Sequence, residues 1–265
     1  MNFQNKVIWI TGASSGIGEA LAYAFAAQKA KLILSARRVD ELERVKKNCN
    51  LPDSDILILP MDVSEYELMA QYTQKAITHF GQIDVLINNA GLGHWSKVSD
   101  TGLGVIKKIM DTNFMGGVAL TKAVLPEMLA RKQGQIVVIS SVMGKIYTPK
   151  QSAYAASKQA LHGFYNALRA EVFREGINVL LVCPGFVKTN IAKSSLNKDG
   201  VASNRESTNI TNGLPPKFVA GKILDAISSD KQEIIIAGTK EKLAVMLNRF
   251  APGLFAKFIG RNKLM

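Results

Sequence analysis

Short runs of consecutive apolar residues alternate along this chain with longer stretches in which apolar positions recur every three to four residues. The short runs predict strands at Lys6–Thr11, Lys31–Ala36, Asp55–Pro60, Val85–Asn89, Gln135–Ser140, Ile177–Cys183 and Glu233–Ala237. Most are apolar throughout, which is the pattern of strands covered on both faces. The segments between the first six are long enough for crossover helices. Such alternation predicts an α/β fold, a parallel sheet with helices on both sides. No internal repeat or linker interrupts it, so residues 1–239 are expected to form one domain.

Two segments break the rhythm. From Pro184 to Pro216 the chain is polar, rich in Asn, Ser and Lys, and aperiodic, as in a lid or binding loop. Residues 240–265 form an extension in which Leu243, Met246, Leu247 and Phe250 share helical spacing. After Pro252-Gly253 a second stripe follows in Leu254, Phe255, Phe258 and Ile259. Six basic residues (Lys240, Lys242, Arg249, Lys257, Arg261 and Lys263) accompany one acidic residue, Glu241. Basic amphipathic helices can lie on anionic membrane surfaces, so the extension is a candidate for peripheral membrane contact. Docking on a neighbouring subunit or over a pocket mouth are the other readings.

Composition narrows the classes. With 47% hydrophobic and 20% charged residues, the chain is neither disordered nor a coiled coil. The balance of 33 basic against 21 acidic side chains, net +12, points to phosphorylated cofactors, acidic carriers or anionic lipid as partners. Zinc-finger spacing, a basic-region helix and RNA-binding aromatic signatures are missing, so nucleic acid is not expected. Cys49 and Cys183 cannot build a disulfide framework, and the three histidines have no metal-ligand company. His79 and His162 read as helix-surface or interface residues. The first strand begins close to Met1, leaving no room for a signal peptide, and a cytoplasmic location is expected.

The chemistry starts at Thr11-Gly12-Ala13-Ser14-Ser15-Gly16-Ile17-Gly18, between the first strand and the first helix. A tight turn that brings backbone N–H groups and a helix N-terminus to a pyrophosphate needs glycine where a Cβ would intrude. Gly12 permits the turn, Gly16 the close approach, and Gly18 the packing of helix on sheet. The second strand ends in Ser35-Ala36-Arg37-Arg38, without the acid that usually accepts from the 2′-hydroxyl of NAD. Guanidinium groups fork onto phosphate oxygens, so NADP(H) is the expected cofactor. Tyr154 and Lys158 stand four residues apart at the start of a helix, one above the other. An ammonium beside a phenol favours the phenolate, which makes Tyr154 a candidate general acid/base. Ser141 lies just past a strand end, where open α/β sheets place their ligand crevice.

These motifs, with Asp62, Asn88-Asn89-Ala90-Gly91, Asn113, Ser140-Ser141, Pro184-Gly185 and Thr189, follow one another in an order that resembles the short-chain dehydrogenase/reductase family over roughly residues 6–190. The resemblance implies a single Rossmann-fold domain with a seven-stranded parallel sheet in the order 3-2-1-4-5-6-7. It implies hydride transfer between NADP(H) and a carbonyl/alcohol pair. On that pattern Tyr154 moves the proton and Ser141 hydrogen-bonds the substrate oxygen. Lys158 binds the nicotinamide ribose and lowers the Tyr154 pKa, and Asn113 holds a water in the proton relay. The implied cofactor contacts are Gly12, Ser14, Ser15, Gly16, Ile17 and Gly18 at the turn, with Arg37 and Arg38 beside it. Asp62 and Val63 flank the adenine, and Asn89, Ala90 and Gly91 line the path, which ends at Tyr154, Lys158, Pro184, Gly185, Val187 and Thr189. Substrate contacts are expected from His94, Ser141, Met143, Tyr147, Tyr154 and Phe186, and that surface is mainly apolar. A hydrophobic ketone or aldehyde is therefore the expected substrate. The extension is similar to that of family members acting on lipophilic ketones, such as 11β-hydroxysteroid dehydrogenases. The alternatives are a 3-oxoacyl-carrier-protein reductase and a non-catalytic dinucleotide-binding regulator. By family habit a homodimer or homotetramer is expected, packed through the helices carrying Asn113 and Tyr154.

Overall fold

The computed structural model describes residues 2–261. Lys263 and the end of the predicted extension lie outside the described residues. Seven strands form one parallel sheet: β1 (Val7–Thr11), β2 (Lys31–Ser35), β3 (Ile56–Ile58), β4 (Val85–Asn88), β5 (Gly134–Ile139), β6 (Ile177–Pro184) and β7 (Glu233–Ile236). Their spatial order is β3-β2-β1-β4-β5-β6-β7, as the motifs implied. The helices are α1 (Gly16–Ala26), α2 (Val39–Asn48), α3 (Met69–Phe80), α4 (Leu103–Met110), α5 (Gly116–Arg131) and α6 (Ser152–Glu171). A short turn of helix, α7 (Thr208–Thr211), precedes α8 (Pro216–Ser228), α9 (Thr239–Phe250) and α10 (Pro252–Arg261).

The continuous apolar strands serve two cores at once, because successive side chains point to opposite faces. Ile8 and Ile10 of β1 join Leu32 and Leu34 of β2 under α1, α2 and α8. Val7 and Trp9 turn the other way, packing with Ile33 against α3, α5 and α6. The Trp9 indole N–H donates to Ser35 Oγ at 2.9 Å, so the largest fully buried ring leaves no orphaned donor. Asp84 before β4 accepts from the Val7 N–H at 2.9 Å and from Lys6 Nζ at 3.2 Å, tying the first strand to the fourth.

Strand order reverses between β1 and β4, and the carboxyl ends of β1, β4, β5 and β6 open there onto one large cleft. Two features depart from the expected pattern. Between α4 and α5 the backbone is π-helical over Asp111–Met115, placing Asn113 on a bulge instead of in a regular helix. The extension is not a separate appendage. α9 and α10 fold back over the cleft edge, with Val245 and Phe255 buried against Val142, Met143, Ile146 and Ala155. The predicted stripes are only half used: Leu243, Met246, Phe250, Leu254 and Phe258 are all exposed.

Candidate active site

The cleft has a volume of about 1200 Å³ and runs from the glycine turn to the extension. At its first end, Gly12 and Gly16 have φ of +64° and +62°, a conformation that side chains other than glycine rarely adopt. A Cβ on Gly12 would lie 2.9 Å from Asn89 Nδ2, and one on Gly18 would overlap the Gly12 carbonyl oxygen. Gly18 therefore packs helix on turn without reaching the cleft, whereas Ser14, Ser15, Gly16 and Ile17 line it. Asn89 braces the turn, its amide donating to the carbonyls of Thr11 (2.9 Å) and Gly12 (3.2 Å).

Arg37, Arg38, Asp62 and Val63 line the same end. Arg38 donates to Ser14 Oγ at 3.1 Å, and Arg37 stands 3.6 Å from Asp62. Burial pushes the Asp62 carboxyl up, but hydrogen bonds from Ser64 and the charge of Arg37 outweigh it and hold the group below its ordinary value.

Further along, α6 carries Tyr154 and Lys158 to the ends of β5 and β6. Lys158 is buried, donates from Nζ to the Ile139 carbonyl at 2.8 Å, and lies 5.7 Å from the Tyr154 ring centroid. Burial pushes its ammonium down to about 8. Burial raises the Tyr154 phenol, and the Ser141 hydroxyl opposes that rise. The expected lowering of Tyr154 by Lys158 is thus corrected: the ammonium is itself desolvated and committed to a backbone carbonyl. Ser141 has extended backbone and caps the turn Val142–Gly144, accepting from the Met143 N–H at 3.1 Å. Asn113 Oδ1 accepts from the Leu92 N–H (2.7 Å), while Nδ2 donates to the Leu92 carbonyl (2.9 Å) and Ser157 Oγ (3.0 Å). A Cβ on Gly91 would lie 3.3 Å from Asn113 Oδ1 and 3.6 Å from Lys158 Nζ, so glycine keeps that corner open. Behind it, Thr11, Asn88 and Asn113 share a small cavity of about 10 Å³, the size of one water.

Ala90, Gly91, Pro184, Gly185, Val187 and Thr189 all line the cleft, as do Met143 and Phe186. Two expected substrate residues do not. His94 is fully buried, 3.4 Å from Thr101 Oγ1, with burial lowering its pKa; its neighbours Gly93 and Trp95 face the cleft instead. Tyr147 points outward and packs edge-on against Phe255 at 5.3 Å, propping up α10. His162, expected on a surface, is buried with Ser140 Oγ at 3.1 Å and Glu233 at 3.5 Å, because α6 turns that face toward β6 and β7. Sequence reasoning missed the lining contributed by Gln151 and left the extension's place open, whereas Arg205 and Asn212 fall in the loop it read as a lid or binding loop. Only the spacing of the stripes hinted at the last.

A family model described as short chain dehydrogenase matches residues 6–200. The chain belongs to the short-chain dehydrogenase/reductase family. It is 40% identical over 259 residues to a "Dehydrogenase/reductase SDR family protein 7-like" of Anopheles gambiae, covering 96% of this chain and 82% of that one. It is 40% identical over 253 residues to human "Dehydrogenase/reductase SDR family member 7", covering 94% and 75%. A short-chain dehydrogenase from Streptomyces avermitilis superposes with a TM-score of 0.81 at 28% identity, over 96% of both chains. One from Burkholderia phymatum, solved in complex with NAD, shares the fold at a TM-score of 0.86 and 24% identity, again over 96% of both chains. Membership in this family makes the protein an oxidoreductase of the class that binds a nicotinamide dinucleotide. The glycine turn fits such a group, since its two left-handed glycines clear a cradle at the N-terminus of α1.

Proposed function

We propose that this short-chain dehydrogenase/reductase uses NADP(H) to interconvert a hydrophobic ketone or aldehyde and its alcohol. The observation that carries the reading is one cleft that joins the glycine turn and its two arginines to Ser141, Tyr154 and Lys158, and then to an apolar chamber. When bound, the nicotinamide supplies the hydride chemistry. Ser14, Ser15 and the N-terminus of α1 hold phosphate, and Arg37 with Arg38 favours the 2′-phosphate over a free hydroxyl. Ser141 donates its hydroxyl hydrogen to the substrate carbonyl oxygen, and Tyr154 gives or takes the proton on that oxygen. A raised phenol pKa keeps Tyr154 protonated at neutral pH, so the proton is in place for the reducing direction. Lys158 orients the ribose from its place at the Ile139 carbonyl, 5.7 Å from the Tyr154 ring centroid. Asn113 keeps the Gly91-Leu92 corner in place and borders a cavity with room for one relay water.

The roof formed by α9 and α10 favours a small lipophilic molecule over an acyl-carrier protein, because Leu243, Leu247, Phe255 and Phe258 close the chamber's far wall. The same two helices leave Met246, Phe250 and Leu254 exposed beside lysines and arginines. This supports peripheral contact with an anionic membrane from which lipophilic substrates enter. Among the described residues no helix is long and apolar enough to cross a membrane.

The deciding experiment follows NADPH absorbance with steroids, aromatic ketones, long-chain aldehydes and 3-oxoacyl thioesters. Tyr154→Phe should cut turnover by about 10²–10⁴-fold while NADPH binding persists. Comparable turnover in that variant refutes the assignment.

A further inference from the structure

The loop between β6 and α8 delivers a cation to the cleft that no acid among the described residues neutralises. Arg205 lines the chamber, and its guanidinium carbon lies 3.7 Å from the centroid of the Trp95 ring. Lys150 Nζ lies 5.6 Å from the same ring without lining the cleft. Among the described residues Arg205 has no acidic partner, and its buried Nε has no hydrogen-bond acceptor. The neighbouring Glu206 pairs at 4.0 Å with Lys193 instead. Neither of the two acidic residues that line the cleft pairs with Arg205. Asp62 sits beside Arg37, and Glu241 lies against Gly185 and Gly238.

The arrangement is built rather than incidental. Trp95 N–H donates to the Leu196 carbonyl (2.9 Å), and Leu196 N–H donates to the Gly93 carbonyl (3.0 Å). Ser203 N–H donates to the Ser195 carbonyl (2.8 Å), and Asn204 N–H to the Lys193 carbonyl (3.0 Å). Ser96 N–H reaches the Lys150 carbonyl at 2.9 Å. Three chain segments thus hold the Arg205 guanidinium over the indole ring. A stacked guanidinium keeps its in-plane N–H fork free, and that fork matches a planar carboxylate. Burial works against the positive charge; the Trp95 face offsets part of that cost, and an incoming anion offsets more.

We propose that Arg205, stacked on Trp95, is a carboxylate-binding subsite, and that the substrate is an amphipathic oxo acid. Its carbonyl lies at Ser141 and Tyr154, its apolar body along Met143, Phe186 and the roof, and its carboxylate at Arg205. The substrate part of this inference rests on the oxidoreductase reading; the subsite does not.

Two measurements separate them. Turnover with NADPH is compared for a ten-carbon ω-oxo carboxylate and its methyl ester, in the wild type and in Arg205→Met. The wild type should prefer the acid by about tenfold or more in kcat/KM, the scale of one charge-assisted hydrogen bond. Arg205→Met should lose that preference while ester turnover stays within twofold, and Arg205→Lys should keep part of it. Equal wild-type rates on acid and ester overturn the proposal, as does an equal loss of both in Arg205→Met. Independently, decanoate and methyl decanoate are titrated against Trp emission; Trp9 is sealed in the core, so Trp95 reports the site. Decanoate should bind at least tenfold tighter, and only with Arg205 present. Equal binding overturns the subsite. Carboxylate-selective binding without turnover of either oxo probe upholds the subsite and counts against the oxidoreductase reading.

Discussion

Phe255 holds the roof of the cleft in place. It is the one fully buried side chain of α10, wedged among Val142, Met143, Ile146 and Val245 and edge-on to Tyr147. Phe255→Ala forfeits about 3–5 kcal/mol by loss of burial and the cavity left behind. Roughly 0.5–1.5 kcal/mol of that is the aromatic pair. A ten-residue helix is marginal on its own, so the loss falls on docking of α10 and not on the sheet. It corresponds to roughly a hundred- to several-thousand-fold in the docking equilibrium. Hydrogen exchange read by mass spectrometry should show protection lost across residues 252–261 while β1, β4 and β5 keep theirs. Phe258→Ala, at a site 53% exposed, should change little. Undiminished protection of α10 in Phe255→Ala, or equal loss in both variants, would refute the assignment of Phe255 as the anchor.

Lys158→Met should make the protein more stable at neutral pH. The Lys158 ammonium is held down to about 8 by burial, so its cost is fully present below that pH and fades as pH rises toward the ordinary 10.5. Urea unfolding should show an advantage of up to about 3 kcal/mol at neutral pH that closes across this window; a pH-independent gap contradicts the burial argument. Arg37→Ala should weaken NADPH binding about 10- to 100-fold and leave NADH within twofold by calorimetry, and equal weakening of both would remove the 2′-phosphate contact. Flotation with anionic vesicles should capture the wild type and lose at least tenfold with Met246→Ser/Phe250→Ser, both exposed on α9. A wild type that stays with the soluble fraction counts against membrane contact.

Much of this molecule is legible without coordinates. Apolar runs such as Val7-Ile8-Trp9-Ile10 announce strands buried on both faces, and each predicted strand falls within two residues of its observed bounds at either end. The glycine turn, Ser141 and the Tyr154/Lys158 pair are legible for a related reason. Their chemistry needs fixed local spacing, and local spacing is what a sequence displays. His94 and Tyr147 misled because adjacency to a strand end does not say which way a side chain turns. The bridge of His94 to Leu196 directs its ring into the core, and α10 draws Tyr147 away from the chamber.

The sequence by itself determined the layered fold, the glycine turn and the candidates for proton transfer, since periodicity and short-range motifs encode them. Tertiary structure alone decided how those groups are electrostatically set. Whether Lys158 lowers Tyr154 depends on desolvation and on the Ile139 carbonyl, which no spacing reveals. It also decided that residues far apart in the chain, Trp95, Arg205 and Phe255, share the walls of one chamber. Long-range packing places them there, because the aperiodic loop and the half-buried extension acquire their positions only from the surfaces they cover.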